Sequence, residues 1–142
     1  MDILESITEH ETTFEHIGEE CGVVGIAASK RENVAALAYY ALYALQHRGQ
    51  ESAGIAVAHN DKIAYYRDMG LVPEVFHYST LSALPEGDIA IGHVRYSTTG
   101  ASLSCNAQPL VFTGKCGRMA LAHNGNIMNA HVLREELIKK NV

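Results

Sequence analysis

No apolar run in the chain approaches the roughly 18 residues of a membrane span, which excludes a transmembrane helix. Charged residues are scarce at 19%, so the whole is not a disordered acidic segment. Basic residues are outnumbered, with 11 Lys+Arg against 16 Asp+Glu and a formal net charge of -5. A global basic patch for nucleic acid is therefore excluded. Cysteine is sparse too: Cys21, Cys105 and Cys116 form an odd set without CxxC spacing. That leaves no basis for a disulfide framework or a zinc ribbon, and a reducing cytoplasm is the expected compartment. Internal repeats and low-complexity linkers are absent. What remains, 142 residues of which 47% are hydrophobic, suits a single core.

One absence divides the chain. Residues 1–20 contain no Lys or Arg but carry Asp2, Glu5, Glu9, Glu11, Glu15, Glu19 and Glu20, a charge of -7. The rest, 21–142, holds 11 basic and 9 acidic residues, a balance of +2. This leader has neither the basic and apolar regions of a secretory signal nor the Arg-rich composition of a transit peptide. Residues 1–20 are thus expected to be an acidic leader and 21–142 the domain.

Cys21-Gly-Val-Val-Gly-Ile-Ala-Ala28 is small, apolar and β-branched, and reads as a buried strand. Arg31 to Gln46 is rich in Ala and Leu. Val34, Ala38, Ala41, Leu42 and Leu45 fall on one helical face, with Gly49 as a stop. Ala53–Ala58 and Lys62–Tyr66, joined by His59-Asn60-Asp61, read as a hairpin. A short helix is expected within Leu71–Leu84, then strands over Asp88–Val94, Pro109–Phe112 and Arg118–Ala122. Asn126 is expected to cap a last helix whose apolar side is Ile127, Ala130, Leu133, Leu137 and Ile138. This order favours an α+β fold over a doubly wound sheet.

Polar residues gather beside glycines at the strand ends, where side chains line clefts and ligands approach the backbone. Cys21 leads. A cysteine beginning an apolar strand is commonly a buried structural residue. A cut between Glu20 and Cys21 would instead place a thiol and a free α-amine on one residue. Such an amine has a pKa of about 7.7–8.0, suited to general base work near neutrality. Arg95 ends a strand beside Tyr96, Ser97 and Thr98, which suits either solvent exposure or bidentate capture of a carboxylate. Asn124-Gly125 fits a tight turn or an oxyanion hole, and the residues alone leave the two even. His93 and His123 end strands without the companions a metal site requires, and read as hydrogen-bonded structural residues. Arg48 with Glu51 reads as a charged network bracing the cleft. Cys105 and Cys116 read as inert, and Gly114-Lys115 lacks the upstream glycine of a phosphate loop.

Five blocks, taken in order, resemble the N-terminal-nucleophile (class II) glutamine amidotransferases. They are Cys21-Gly-Val-Val-Gly-Ile26, Leu45-Gln-His-Arg-Gly-Gln-Glu-Ser-Ala-Gly54, Gly92-His-Val-Arg-Tyr-Ser-Thr98, Gln108-Pro109 and Leu121-Ala-His-Asn-Gly-Asn126. The second and third are most similar to the branch that transfers ammonia to phosphoribosylpyrophosphate (PRPP) in purine synthesis. They differ from the Tyr-Arg-Gly-Tyr-Asp-Ser and Thr-Arg-Trp-Ala-Thr of glucosamine-6-phosphate synthases. The resemblance implies a four-layer αββα sandwich, incomplete at its C-terminal side, and a leader that is a processed propeptide. It implies Cys21 as the nucleophile forming a γ-glutamyl thioester, with its freed amine as base. Arg95, Tyr96 and Thr98 would bind glutamine, Asn124 and Gly125 would form the oxyanion hole, and Arg48 would support the site. No cofactor is implied within this chain. Mg2+ with PRPP, and in some members a [4Fe–4S] cluster, would be bound elsewhere in a homo-oligomeric parent.

Two departures qualify the resemblance. The family's Ser-Asp-Thr/Ser-Glu block, whose Asp holds the substrate α-amino group, has no counterpart, because Asp2, Asp61, Asp68 and Asp88 all precede Asn124. A PRPP-binding domain is also absent. The expectation is the N-terminal part of a longer enzyme, with little activity in isolation. The alternatives are the glutaminase domain of another class II amidotransferase, such as glucosamine-6-phosphate synthase, and a non-catalytic fragment that binds glutamine or a partner.

Overall fold

The computed structural model describes residues 21–96, 103–115, 117–125 and 127–140. The leader, Ser97, Thr98, Cys116 and Asn126 lie outside the described residues. The expected elements appear in order as an α+β fold. Strand β1 (Gly22–Glu32) leads into helix α1 (Val34–Ala44), followed by a 3-10 turn at Gln46–Arg48. Strands β2 (Ser52–His59) and β3 (Lys62–Met69) form the hairpin, and two short helices, α2 (Val72–Val75) and α3 (Tyr78–Ser82), follow. Then come β4 (Gly87–Arg95), β5 (Leu110–Gly114), β6 (Gly117–Leu121) and α4 (Ala130–Lys139).

The main sheet is antiparallel, in the order β1-β4-β2-β3, while β5 and β6 pair separately. Asn60 and Asp61 turn the β2–β3 hairpin at φ 46° and 57°, a left-handed conformation that Asn and Asp tolerate better than most residues. Asn33 starts α1, its side-chain oxygen accepting from the Ala36 N–H at 3.0 Å. The helix buries Val34, Ala35, Ala38 and Leu42 against one sheet face, where Val24, Ile26, Ile55, Val57, Ala90 and Val94 meet it. Gly92 stands under Leu42, and a Cβ there would come within 2.9 Å of its Cδ1.

Period-two alternation turns Val23, Gly54, Arg67, His93 and Arg95 to the opposite face. The segment Ala107–Pro109 crosses that face, and only a glycine at position 54 leaves room for the Gln108 carbonyl. Arg67 anchors the crossing, donating from Nη1 to the Ala107 and Pro109 carbonyls at 2.6 and 2.8 Å.

The last helix differs from its expectation. It begins at Ala130, after Asn129, so Ile127 precedes it. Its apolar residues Leu133, Leu137 and Ile138 are exposed among the described residues.

Candidate active site

β1 and β4 run antiparallel with Gly22 opposite Val94, so residues just beyond their facing ends must meet. Cys21 precedes β1 and Tyr96 follows β4, and they do meet. The Cys21 thiol lies 3.5 Å from the Tyr96 carbonyl, and the Tyr96 N–H donates to Cys21 Sγ at 3.4 Å. Asn124 arrives from the loop after β6, its Nδ2 donating to the Cys21 carbonyl at 3.4 Å. Three of the expected site residues, separated by as many as 103 positions, thus share one end of the sheet. The thiol is half-buried and reduced. Gly125, next to Asn124, is exposed.

Arg95 ends β4 on the face away from α1, and its Nη1 donates to Glu51 Oε1 at 2.6 Å. Both side chains are mostly sheltered, 11% and 13% exposed, where a charge-assisted bond is stronger than at the surface. The Glu51 backbone N–H also donates to the Arg95 carbonyl at 3.0 Å. In the sequence alone Glu51 pairs with Arg48 as a brace. The structure makes it the carboxylate partner of Arg95, so a substrate carboxylate would share or replace that contact. The signal was present: β2 pairs with β4 so that Ser52 faces Arg95, leaving Glu51 one residue away. Arg48 sits in the 3-10 turn, half-buried and itself engaged in an interaction. Thr98 lies outside the described residues.

His93 and Gln108 are buried beside the site; the sequence alone makes His93 structural and gives Gln108 no role of its own. His93 Nε2 is 3.1 Å from the His123 carbonyl, and the His123 N–H donates to Gln108 Oε1 at 2.8 Å. Burial drives the His93 pKa down to about 4. Its hydrogen bond to His123 opposes that shift, while the charges of His123 and Arg95 add to it. Among the described residues no group of three or more His, Cys, Asp or Glu is placed to hold a metal ion. An apolar cleft between β3 and α3, lined by Tyr65, Tyr66, Thr80 and Leu84, contains none of these site residues.

Curated relatives match the sequence over most of this chain. An amidophosphoribosyltransferase of Synechococcus elongatus is 54% identical over 123 residues, covering 87% of this chain and 24% of the relative. One from Methanocaldococcus jannaschii is 52% identical over 120 residues, covering 84% and 25%. Over the aligned residues the chain is similar to amidophosphoribosyltransferases. It spans about a quarter of the length of the curated relatives it matches. A plant relative, amidophosphoribosyltransferase 3, chloroplastic, of Arabidopsis thaliana, is 52% identical over 119 residues, 84% of this chain and 22% of its own.

Solved structures agree on the fold. One described as the allosteric regulatory enzyme of purine biosynthesis superposes with a TM-score of 0.75 at 43% identity. A Bacillus subtilis glutamine PRPP amidotransferase complexed with ADP and GMP superposes at 0.69 and 41%. Each alignment covers 84% of this chain and 25% of the solved chain. No protein-family model matches the sequence. Over the aligned residues the chain shares the N-terminal-nucleophile fold of these solved structures. Among the described residues no helix is long and apolar enough to cross a membrane.

Proposed function

We propose that residues 21–142 are the N-terminal part of the glutaminase domain of an amidophosphoribosyltransferase acting in the cytoplasm, with residues 1–20 a propeptide. The observation that carries this reading is the meeting of Cys21, Tyr96 and Asn124 at one end of the sheet. Once residues 1–20 are removed, the Cys21 α-amine takes the thiol proton, and the thiolate attacks the glutamine side-chain carbonyl carbon. The oxyanion that forms accepts hydrogen bonds from the Asn124 amide and the Gly125 N–H. Collapse breaks the carbon–nitrogen bond, the amine returns its proton to the leaving group, and ammonia departs from a thioester. Water then releases glutamate. Arg95 takes the substrate α-carboxylate in place of part of its contact with Glu51, and Tyr96 and Thr98 are the further glutamine-binding residues that the family resemblance implies.

Ammonia adds to C1 of PRPP and displaces pyrophosphate to give 5-phosphoribosylamine. That step, any Mg2+ accompanying PRPP and any [4Fe–4S] cluster belong to residues outside this chain. Among the described residues the thiols Cys21 and Cys105 and the carboxylates gather into no group of three or more that could hold a metal. Ammonia release from glutamine, with and without PRPP, tests the reading on whole protein whose N-terminus is Cys21. Turnover abolished by Cys21→Ala and accompanied by phosphoribosylamine when PRPP is added is the expected result. Undiminished turnover in that variant overturns the assignment.

A further inference from the structure

Both peptide groups of His123 are held by buried side chains. Its N–H donates to Gln108 Oε1 at 2.8 Å, and its carbonyl lies 3.1 Å from His93 Nε2. Gln108 is 7% exposed and His93 fully buried. A carbonyl can only accept, so His93 Nε2 carries the proton and the ring is in that tautomer. Nδ1 is then a bare acceptor, and it has no hydrogen-bond partner among the described residues. Protonating it would leave an unsatisfied N–H in the core, in keeping with the depressed pKa of this ring.

The consequence falls on Asn124. The His123 carbonyl and the Asn124 nitrogen belong to one planar peptide, and the His123 N–H belongs to the plane before it. Gripping both fixes two successive planes and leaves the chain few ways to enter Asn124. The grips come from separate parts of the fold: His93 from the middle of the sheet, Gln108 from the segment that crosses Gly54. Neither side chain needs to touch a substrate to have this effect.

We infer that His93 and Gln108 are positioning residues, which aim the Asn124–Gly125 donors by clamping the peptide groups of His123. This rests on the glutaminase reading of that loop. An ordinary core histidine would contribute to stability without this directional demand on Nε2.

Paired variants of the whole protein, matured to Cys21, separate the two. In His93→Gln the side-chain amide reaches close to the Nε2 position; in His93→Asn it falls near Nδ1. We expect His93→Gln to hydrolyse glutamine within about fivefold of the parent. His93→Asn should lose roughly 10–100-fold in kcat, approaching the loss of one oxyanion donor, with KM within about threefold. Hydrogen exchange at His123, Asn124 and Gly125 should accelerate in His93→Asn and in Gln108→Met, but not in His93→Gln. Equal kcat values for the Gln and Asn variants, or a loss carried by KM alone, would overturn the clamp. A parent protein that hydrolyses no glutamine sinks the glutaminase reading instead. Exchange then still decides the clamp, and equal protection in the Gln and Asn variants refutes it.

Discussion

Replacing Gly54 by alanine probes the packing on which the site depends. A Cβ at this position in β2 would run into the Gln108 carbonyl oxygen and sit 2.7 Å from Arg67 Cβ. Weak carbon–oxygen contacts ordinarily rest at about 3.3–3.6 Å, so the crossing segment must withdraw by about 1 Å. Overpacking of this kind costs about 1–3 kcal/mol. Withdrawal also weakens the Arg67 bonds to Ala107 and Pro109. Against this stands a gain of about 0.4–1 kcal/mol from a less flexible unfolded chain. The net expectation is a loss of about 1–2 kcal/mol. Gly25 is the control: it lies in β1 of the same sheet, and a Cβ there meets nothing within 4 Å, so alanine should gain stability. Urea unfolding of the two variants of the 142-residue chain should separate their midpoints by about 1–2 M, given slopes of about 1–3 kcal/mol/M. Coincident midpoints would refute the argument.

Glu51→Gln should destabilise by about 1–3 kcal/mol, because it removes the charged partner from a sheltered guanidinium. Stability matching the parent in urea would deny the pair its role. Leu42→Ala opens the space between α1 and the sheet at a fully buried position and should cost about 2–5 kcal/mol by the same measurement. Acid stability follows His93, which faces Arg95 and His123. Between its ordinary pKa of 6.5 and its folded value of about 4 the unfolded state binds the extra proton, so stability falls as pH drops through that window. The loss approaches about 3 kcal/mol at the acid end. A His93→Gln variant should show a flatter profile from pH 7 to 4, whereas an unchanged slope would assign the acid sensitivity to other groups.

The elements whose formation is local were legible in the sequence. The β2–β3 hairpin could be read because Asn and Asp tolerate the left-handed turn that joins its two alternating runs. Helix α1 could be read from its apolar face, although its Asn33 cap emerged only in the structure. The site residues Cys21, Tyr96 and Asn124 were visible as strand-end polar groups, although their meeting depends on the register of β1 against β4. What escaped was set by pairing between distant segments. Glu51 finds Arg95 across 44 positions, and Gln108 reaches His123 only because Gly54 makes room for the crossing chain. Helix α4 starts later than its apolar pattern suggested. The residues from Ile127 to Asn129 share that pattern but are not helical, and no side chain of Asn129 caps the first turn.

The central claim is that Cys21, with its α-amine freed, is the nucleophile toward glutamine. Mass spectrometry of the protein from its native host, after reaction with an electrophilic glutamine analogue, tests it directly. The account predicts chains beginning at Cys21 and one label per chain on that residue. Label on Cys105 or Cys116 instead, or equal labelling of chains that still begin at Met1, would contradict it.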